Sequence, residues 1–219
     1  MNSTAIRCLI VAAGGHAAVL IDTMRRCRSV EPDCLLDSDR TRWQTELYGV
    51  PILGGDEMLA RMHARGVAKF AIGLGRTGAA DHRRNLFEKA RAAGLEPITI
   101  VDPSAVVSER AALADGTQIF AKAVVNIGSR IGANTVINTG TIVEHDCDIG
   151  DHVFVAPGAV LAGGVHVGHQ AFIGMGAVVL PGLSIGEGAV VGAGAVVRET
   201  VPAAMTVVCV PARRLKALQ

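Results

Sequence analysis

Aromatic side chains are scarce in this chain, with one Trp, one Tyr and five Phe among 219 residues. Proteins that bind single-stranded nucleic acids stack the bases on aromatic rings, so this scarcity argues against such a surface. Charge of one sign is also lacking, because the formal net charge is +1 and no run of basic residues occurs. Binding to nucleic acid or to an anionic membrane normally requires a basic patch. We therefore expect no nucleic-acid partner and no membrane partner.

The five cysteines form neither an even set nor a C-x-x-C pair. This pattern predicts reduced thiols, and therefore a cytoplasmic protein, rather than a disulfide framework or a zinc site. A long apolar helix is absent as well, since the uncharged stretch 171–186 is interrupted by glycines and a proline. A spanning helix would be uniformly apolar over about 20 residues. The apolar run at residues 8–13 is short for a signal peptide, and we interpret it as a buried strand.

The second half of the chain contains an uninterrupted six-residue repeat. Every sixth residue is aliphatic, at Val101, Val107, Leu113, Ile119, Val125, Ile131, Ile137, Val143, Ile149, Val155, Leu161, Val167, Ile173, Val179, Ile185, Val191 and Val197. Neither a helix, with period 3.6, nor a strand, with period 2, produces this spacing. A chain that turns a corner every six residues does, and three corners close one coil of 18 residues. The repeat predicts a parallel β-helix, a triangular prism that spans residues 101–197.

The first hundred residues alternate between short apolar runs and amphipathic stretches. Strands are predicted at 7–13, 33–37, 50–53, 68–74 and 97–101, and helices at 14–28, 54–65 and 77–93. Alternating strands and helices indicate a parallel, doubly wound, Rossmann-like sheet. We therefore predict two domains, an α/β domain at 1–100 and a β-helix domain at 101–219. The apolar tail that contains Val210 and Pro211 is expected to fold back along the prism.

A glycine turn follows the first strand, at Gly14, Gly15 and His16. Its spacing is not the G-x-G-x-x-G of dinucleotide-binding proteins, so a nicotinamide cofactor is not expected. A turn that opens a helix still presents backbone N–H groups to a phosphate. Asp37 closes the second strand and could accept hydrogen bonds from a ribose or a base. One alternative is that the glycines only form the turn and Asp37 is a solvated loop residue; another is that this domain is a dinucleotide-binding sensor.

A second group of polar residues is Glu144, His145 and Asp146, at a corner of the prism. Gly163 follows His145 by one full coil, so its backbone N–H should approach a substrate that His145 also contacts. An imidazole can accept a proton at neutral pH, and either neighbouring carboxylate could orient it. The alternative is an exposed corner histidine, as we interpret His152, His166 and His169. A zinc site would need several of these histidines to converge, and their offsets place them at different corners.

The repeat, the Val143-Glu144-His145-Asp146-Cys147 run and the Val210-Pro211-Ala212-Arg213 tail resemble the left-handed β-helix acyltransferases. The Gly14-Gly15-His16 turn and the Leu36-Asp37-Ser38-Asp39 run resemble one subgroup, the bacterial nucleotide-sugar acetyltransferases of glycan biosynthesis. This subgroup includes the bacillosamine-type and perosamine-type N-acetyltransferases and the sialic-acid O-acetyltransferase relatives. The resemblance covers essentially the whole chain. It implies a homotrimer that uses acetyl-CoA and no metal, with each active site between neighbouring prisms.

The resemblance also implies a role for each site residue. His145 is the expected general base and Asp146 orients it, while Gly163 supplies an N–H to the thioester oxygen. The backbone at Met175 and Ala193 is expected to line the CoA arm. The acceptor's phosphates are expected at Gly14, Gly15 and His16, with Asp37 and Asp39 near its base.

Two departures from the family pattern stand out. Gly73-Leu74-Gly75 replaces an expected Gly-Asn pair, which leaves the nucleotide open, and Cys209 replaces a glycine before the tail, where a different turn is expected.

We therefore expect an acetyl-CoA-dependent N-acetyltransferase that acts on the amino group of a UDP- or GDP-linked 4-amino-deoxysugar. One alternative is O-acetylation of sialic acid or a related sugar. A non-catalytic or zinc-dependent β-helix protein is the alternative from a different class.

Overall fold

The structure is a computed structural model that describes residues 5–75 and 81–214. Its contacts divide the chain into two compact units, Met1–Pro103 and Ser104–Gln219.

The first unit is built around a six-stranded sheet. Its strands are β1 (Ile6–Val11), β2 (Val30–Leu36), β3 (Glu46–Leu47), β4 (Val50–Gly54), β5 (Lys69–Ile72) and β6 (Glu96–Pro97). They lie in the order β3-β4-β2-β1-β5-β6, and only the β3–β4 pair is antiparallel. The central strand β1 is buried from Cys8 to Val11, as expected for a parallel strand that is covered on both faces. This is the Rossmann-like arrangement that the alternating pattern predicts.

The helices of the first unit are α1 (Gly15–Cys27), α2 (Leu59–Met62) and α3 (Asp81–Ala92). The helix predicted at 54–65 is instead a single α-turn between two 3₁₀ turns, Asp56–Met58 and His63–Arg65. A further 3₁₀ turn spans Arg40–Arg42, and the predicted start of the third helix at Thr77 lies outside the described residues. The rings of Phe70 on β5 and Phe87 on α3 pack with centroids 5.4 Å apart in the core. A further two-residue strand, Ile100–Val101, lies near the end of this unit and does not belong to the six-stranded sheet.

The second unit consists of three stacks of very short parallel strands. One stack contains Gln118–Ile119, Val136–Ile137, Phe154–Val155, Phe172–Ile173, Val190–Val191 and Thr206–Val208. The next contains Val106–Val107, Val124–Val125, Ile142–Val143, Val160–Leu161, Val178–Val179 and Val196–Val197. The last contains Ala112–Leu113, Arg130–Ile131, Asp148–Ile149, His166–Val167 and Ser184–Ile185. Each strand pairs with the one a coil later, as Val143 does with Leu161. The fold is the left-handed β-helix that was predicted.

The interior of the prism is packed by the aliphatic repeat, which is fully buried from Ile119 to Val197. The small residues two positions earlier include hydroxyl side chains that bond to carbonyls of the following coil. Thr135 Oγ1 donates to the Gly150 carbonyl at 2.8 Å, and Ser129 Oγ donates to the Glu144 carbonyl at 2.7 Å. These bonds satisfy polar atoms that burial would otherwise leave unpaired. They also tie consecutive coils together.

The tail folds back along the prism, as predicted. Thr206–Val208 pairs in parallel with Val190–Val191, and Arg213–Arg214 then pairs antiparallel with Thr206–Val208. Cys209 adopts φ +76°, the left-handed conformation that favours glycine. The cysteine at this position therefore keeps a glycine-type backbone.

Among the described helices, we find none that is long and apolar enough to cross a membrane.

Candidate active site

His145 and Asp146 form a hydrogen-bonded pair at one corner of the prism. The His145 Nδ1 atom lies 3.0 Å from Asp146 Oδ2, and the side chains are 59% and 73% exposed. Because a carboxylate accepts hydrogen bonds, the ring carries its proton on Nδ1 and leaves the Nε2 lone pair available. Glu144, the other candidate partner, instead accepts from Asn126 Nδ2 at 2.9 Å. The structure thus distinguishes between two carboxylates that spacing alone left open, and the hydrogen bond goes to Asp146, the residue that the resemblance implies.

Gly163 stacks directly against the ring of His145. A Cβ built on Gly163 would lie 2.5 Å from both Cε1 and Nε2 of His145, well inside van der Waals contact. The backbones are joined by the bond from the Gly164 N–H to the His145 carbonyl, at 2.9 Å. The Gly163 N–H itself has no partner among the described residues. The absence of a side chain at Gly163 therefore makes room for the imidazole, and the same residue carries an N–H that has no partner among the described residues.

Two hydrogen bonds with Ser129, in the preceding coil, hold the turn that carries His145. Ser129 Oγ donates to the Glu144 carbonyl and accepts the N–H of Cys147 at 3.2 Å. Burial raises the pKa of the Cys147 thiol, so it stays protonated near neutral pH. This cysteine is a packing residue, and the structure offers no thiolate next to His145.

Met175 and Ala193 lie at a different corner from His145. They stack on each other one coil apart, since the Gly194 N–H donates to the Met175 carbonyl at 2.8 Å. The side chain of Met175 is 60% exposed. The ten predicted site residues therefore fall into three groups: the His145 corner, the Met175 corner and the first unit.

The first unit contains a cavity of about 830 Å³ at the carboxyl ends of its strands. Ala12, Gly14, Asp37 and Leu74 line it, and so do six polar residues that the sequence did not single out: Arg42, Asp56, His82, Asn85, Glu88 and Lys89. Their loops and helix come together only in the folded domain. In open α/β sheets ligands bind at this end of the strands.

The carboxylate of Asp37 already accepts two hydrogen bonds from the backbone around it. Its Oδ2 accepts the Ala13 N–H at 2.7 Å, its Oδ1 accepts the Asp39 N–H at 2.8 Å, and Arg42 lies 3.6 Å away. Each carboxylate oxygen keeps a second lone pair for a ligand. Asp39 instead caps the 3₁₀ turn Arg40–Arg42, and the hydrogen bonds from Thr41 lower its pKa. Asp39 is not among the residues that line the cavity.

The glycines of the first turn are not required by the backbone. Gly14 has φ −82°, the strained position is Ala12 with φ +79°, and a Cβ at Gly14 or Gly15 would have nothing within 4 Å. The interpretation that these glycines only form the turn is therefore not supported. They leave open space at the start of α1, of which Gly15 and His16 are the first residues.

Gly73, unlike Gly14 and Gly15, has no room for a side chain. A Cβ there would overlap the Ala12 carbonyl oxygen and lie 2.6 Å from Ile10 Cγ2. Beside it, Arg83 donates to the carbonyls of Ile72 and Leu74 at 3.1 and 2.6 Å. Burial lowers the pKa of Arg83 to about 9. Arg83 and Gly73 together fix the end of β5 at the edge of the cavity.

The other histidines of the prism each interact with a polar group close to them. His152 Nδ1 lies 3.0 Å from Asn134 Nδ2, His169 Nδ1 accepts the Asp151 N–H at 2.9 Å, and His166 Nδ1 lies 3.9 Å from Asp148. Within 5–75 and 81–214, no group of three or more His, Cys, Asp or Glu is arranged to hold a metal ion.

Comparisons with known proteins connect these features to a family. Residues 7–90 match the PglD N-terminal domain, and residues 128–163 and 164–199 match the bacterial transferase hexapeptide (six repeats) family. A histidine-to-asparagine variant of perosamine N-acetyltransferase from Caulobacter crescentus, in complex with CoA and GDP-perosamine, is 36% identical to this chain. The TM-score is 0.90, over 96% of this chain and 97% of that chain. The chain belongs to the hexapeptide-repeat nucleotide-sugar acetyltransferases.

Two further structures resemble this acetyltransferase over nearly its whole length. The acetyltransferase domain of PglB from Neisseria gonorrhoeae FA1090, in complex with acetyl coenzyme A, is 30% identical, with TM-score 0.89 over 96% of this chain and 100% of that chain. WeeI from Acinetobacter baumannii AYE is 27% identical, with TM-score 0.83 over 95% and 99%. A search of curated proteins gave no match. Family membership confirms the predicted enzyme class, an acetyl-CoA-dependent acetyltransferase.

Proposed function

We propose that this acetyltransferase moves the acetyl group of acetyl-CoA directly to the amino group of a nucleotide-linked 4-amino-deoxysugar. The relatives support an amine acceptor, since perosamine N-acetyltransferase is crystallised with GDP-perosamine. The single observation that carries the mechanism is the stacking of His145 on Gly163, with Asp146 bonded to the far side of the ring.

His145 is the general base in this proposal. An amine attacks a thioester only when unprotonated, and it must lose a further proton as the tetrahedral intermediate collapses. The free Nε2 atom accepts that proton while the Nδ1–H remains bonded to Asp146, which stabilises the imidazolium that forms. As the C–S bond breaks, the same proton passes to the departing CoA sulfur. General-base catalysis of this kind contributes about 10²–10⁴-fold.

Gly163 supplies the oxyanion contact. Its N–H has no partner among the described residues and lies beside His145, so a thioester carbonyl can approach both groups. A donor aimed at the developing oxyanion contributes about 10²–10³-fold. The base and the donor are therefore comparable contributors.

The CoA arm is proposed to lie along the corner that carries Met175 and Ala193. Within one chain this corner is not the His145 corner. As the resemblance implies, we propose a homotrimer in which the two corners meet between neighbouring prisms. The exposed side chain of Met175 is compatible with burial against such a neighbour.

The cavity of the first unit is the proposed acceptor site. The N-terminus of α1 and the open space at Gly14 and Gly15 suit the phosphates, because the first-turn N–H groups and the helix dipole favour negative charge. Asp37 lines the same cavity and can accept hydrogen bonds from the nucleoside.

We also propose a cytoplasmic location. The five cysteines form no disulfide, which is typical of proteins in a reducing compartment.

Acceptor assays test this function. CoA release is measured with UDP- and GDP-linked amino sugars and, in parallel, with sialic acid and other hydroxyl acceptors. We expect turnover with an amino sugar, and we expect His145→Ala to lower the rate at least about a hundredfold without changing the oligomeric state. Turnover with hydroxyl acceptors alone would contradict N-acetylation. A His145→Ala variant within a few-fold of wild type would remove His145 from the mechanism.

A further inference from the structure

We propose that Gly128 is a positioning residue for the His145–Asp146 pair, an inference that rests on the proposed function. Gly128 precedes Asp146 by one coil of 18 residues and lies at the same corner of the prism. The Asp146 N–H donates to the carbonyl of Ile127 at 3.0 Å, which holds the two turns in register. The pair therefore lies between two glycines, Gly163 in the coil that follows and Gly128 in the coil before it.

The contact runs through the carboxylate of Asp146. A Cβ built on Gly128 would overlap Asp146 Oδ1 and would lie 3.4 Å from its Cγ. The other oxygen, Oδ2, accepts the hydrogen bond from His145 Nδ1. Because both oxygens belong to one rigid planar group, a shift of Oδ1 also moves Oδ2. Any side chain at Gly128 would therefore turn the carboxylate away from the ring without touching His145.

Backbone strain must be separated from this steric effect, since Gly128 has φ +76°. Gly188 is a matched control, because it has φ +65° and a Cβ there would meet nothing within 4 Å. It lies at another corner of the prism. Gly188→Ala therefore carries a similar strain without a collision. Gly128→Asn is a second variant, since Asn tolerates this conformation better than Ala but still adds the Cβ.

The test measures kcat and KM for the acceptor in Gly128→Ala, Gly128→Asn and Gly188→Ala, each alone and in an Asp146→Ala background. We expect both Gly128 variants to lose about tenfold in kcat, the loss expected for one charge-assisted hydrogen bond, with KM changed less than about twofold. Gly188→Ala should stay within about twofold of wild type. In the Asp146→Ala background, each Gly128 substitution should lower kcat by less than about twofold.

A crystal structure of Gly128→Ala provides a readout that does not depend on activity. We expect Asp146 Oδ2 to leave His145 Nδ1, with a separation beyond hydrogen-bonding distance. An unchanged pair in that crystal would overturn the inference, as would an equal kcat loss in Gly188→Ala or in the Asp146→Ala background. If wild type acetylates no sugar, the proposed function fails while the displacement of Asp146 can still be seen.

Discussion

A single methyl group at Gly163 should disable the enzyme without unfolding it. Gly163 has no left-handed φ, so alanine fits its backbone, and alanine keeps the N–H that we assign to the oxyanion. The new Cβ would lie 2.5 Å from Cε1 and Nε2 of His145, whereas ordinary Cβ contacts lie at 3.4–4 Å. The imidazole must therefore retreat by about 1 Å, a misplacement that can cost about a hundredfold.

The expected loss in Gly163→Ala is thus about 10²-fold in kcat, or about 2.7 kcal/mol of transition-state stabilisation. The melting temperature should change by less than about 2 °C, because the His145 side chain is largely exposed and can rotate into solvent. Steady-state CoA release gives kcat, and thermal unfolding gives the stability. Both measurements are made on wild type, on Gly163→Ala and on His145→Ala with and without Gly163→Ala.

The double variant, Gly163→Ala with His145→Ala, shows why Gly163→Ala lowers kcat. With the ring gone, the methyl group has nothing to displace, so Gly163→Ala should cost less than about threefold in the His145→Ala background. A hundredfold cost in that background would mean that the methyl blocks acetyl-CoA instead. If Gly163→Ala alone retains kcat within about threefold of wild type, the steric reasoning is refuted.

Two further outcomes concern stability. Gly73→Ala should lower the free energy of unfolding, measured in urea, by about 1–3 kcal/mol, because the new Cβ collides with Ile10 and the Ala12 carbonyl. Gly15→Ala is the control, since its new Cβ meets nothing within 4 Å. Equal losses in the two variants would contradict the packing argument. The hydrogen bond from Arg130 lowers the pKa of Asp148, so this pair stabilises the fold above the ordinary carboxyl pKa and the stabilisation is lost as pH falls through the lowered pKa. Asp148→Asn should therefore cost less than about 1 kcal/mol at pH 7, with the difference from wild type vanishing in acid; a difference that grows in acid would contradict this sign.

The arrangement of the prism could be predicted because one rule governs it. A coil of 18 residues places any residue directly against the one 18 positions later, so the approach of Gly163 to His145 follows from their numbers and from the stacking of strands. The same rule would have placed Gly128 against Asp146 and Asn126 beside Glu144. Spacing alone does not show which carboxylate turns toward the ring, since that choice depends on the local backbone of one corner; the resemblance implies Asp146, and the structure shows the hydrogen bond to it.

The first unit was less predictable in detail. The amphipathic pattern at 54–65 suggested one helix, yet the chain forms a single α-turn between two 3₁₀ turns, because tertiary packing overrides a weak local preference over so few residues. The polar lining of the cavity, including Arg42 and Asn85, comes from segments that are distant in sequence. No spacing rule links such segments, so their meeting could not be inferred.

The sequence by itself therefore determined the prism, the alternating α/β unit and the family, because each depends on regular patterns or on local motifs. The tertiary structure decided how the site is assembled: the hydrogen bond that Asp146, rather than Glu144, forms with the ring of His145, and the clearance that Gly128 and Gly163 leave around that pair. The physical reason is that a repeat specifies which backbones adjoin, whereas the direction of each side chain depends on steric contacts and hydrogen bonds that form only after folding.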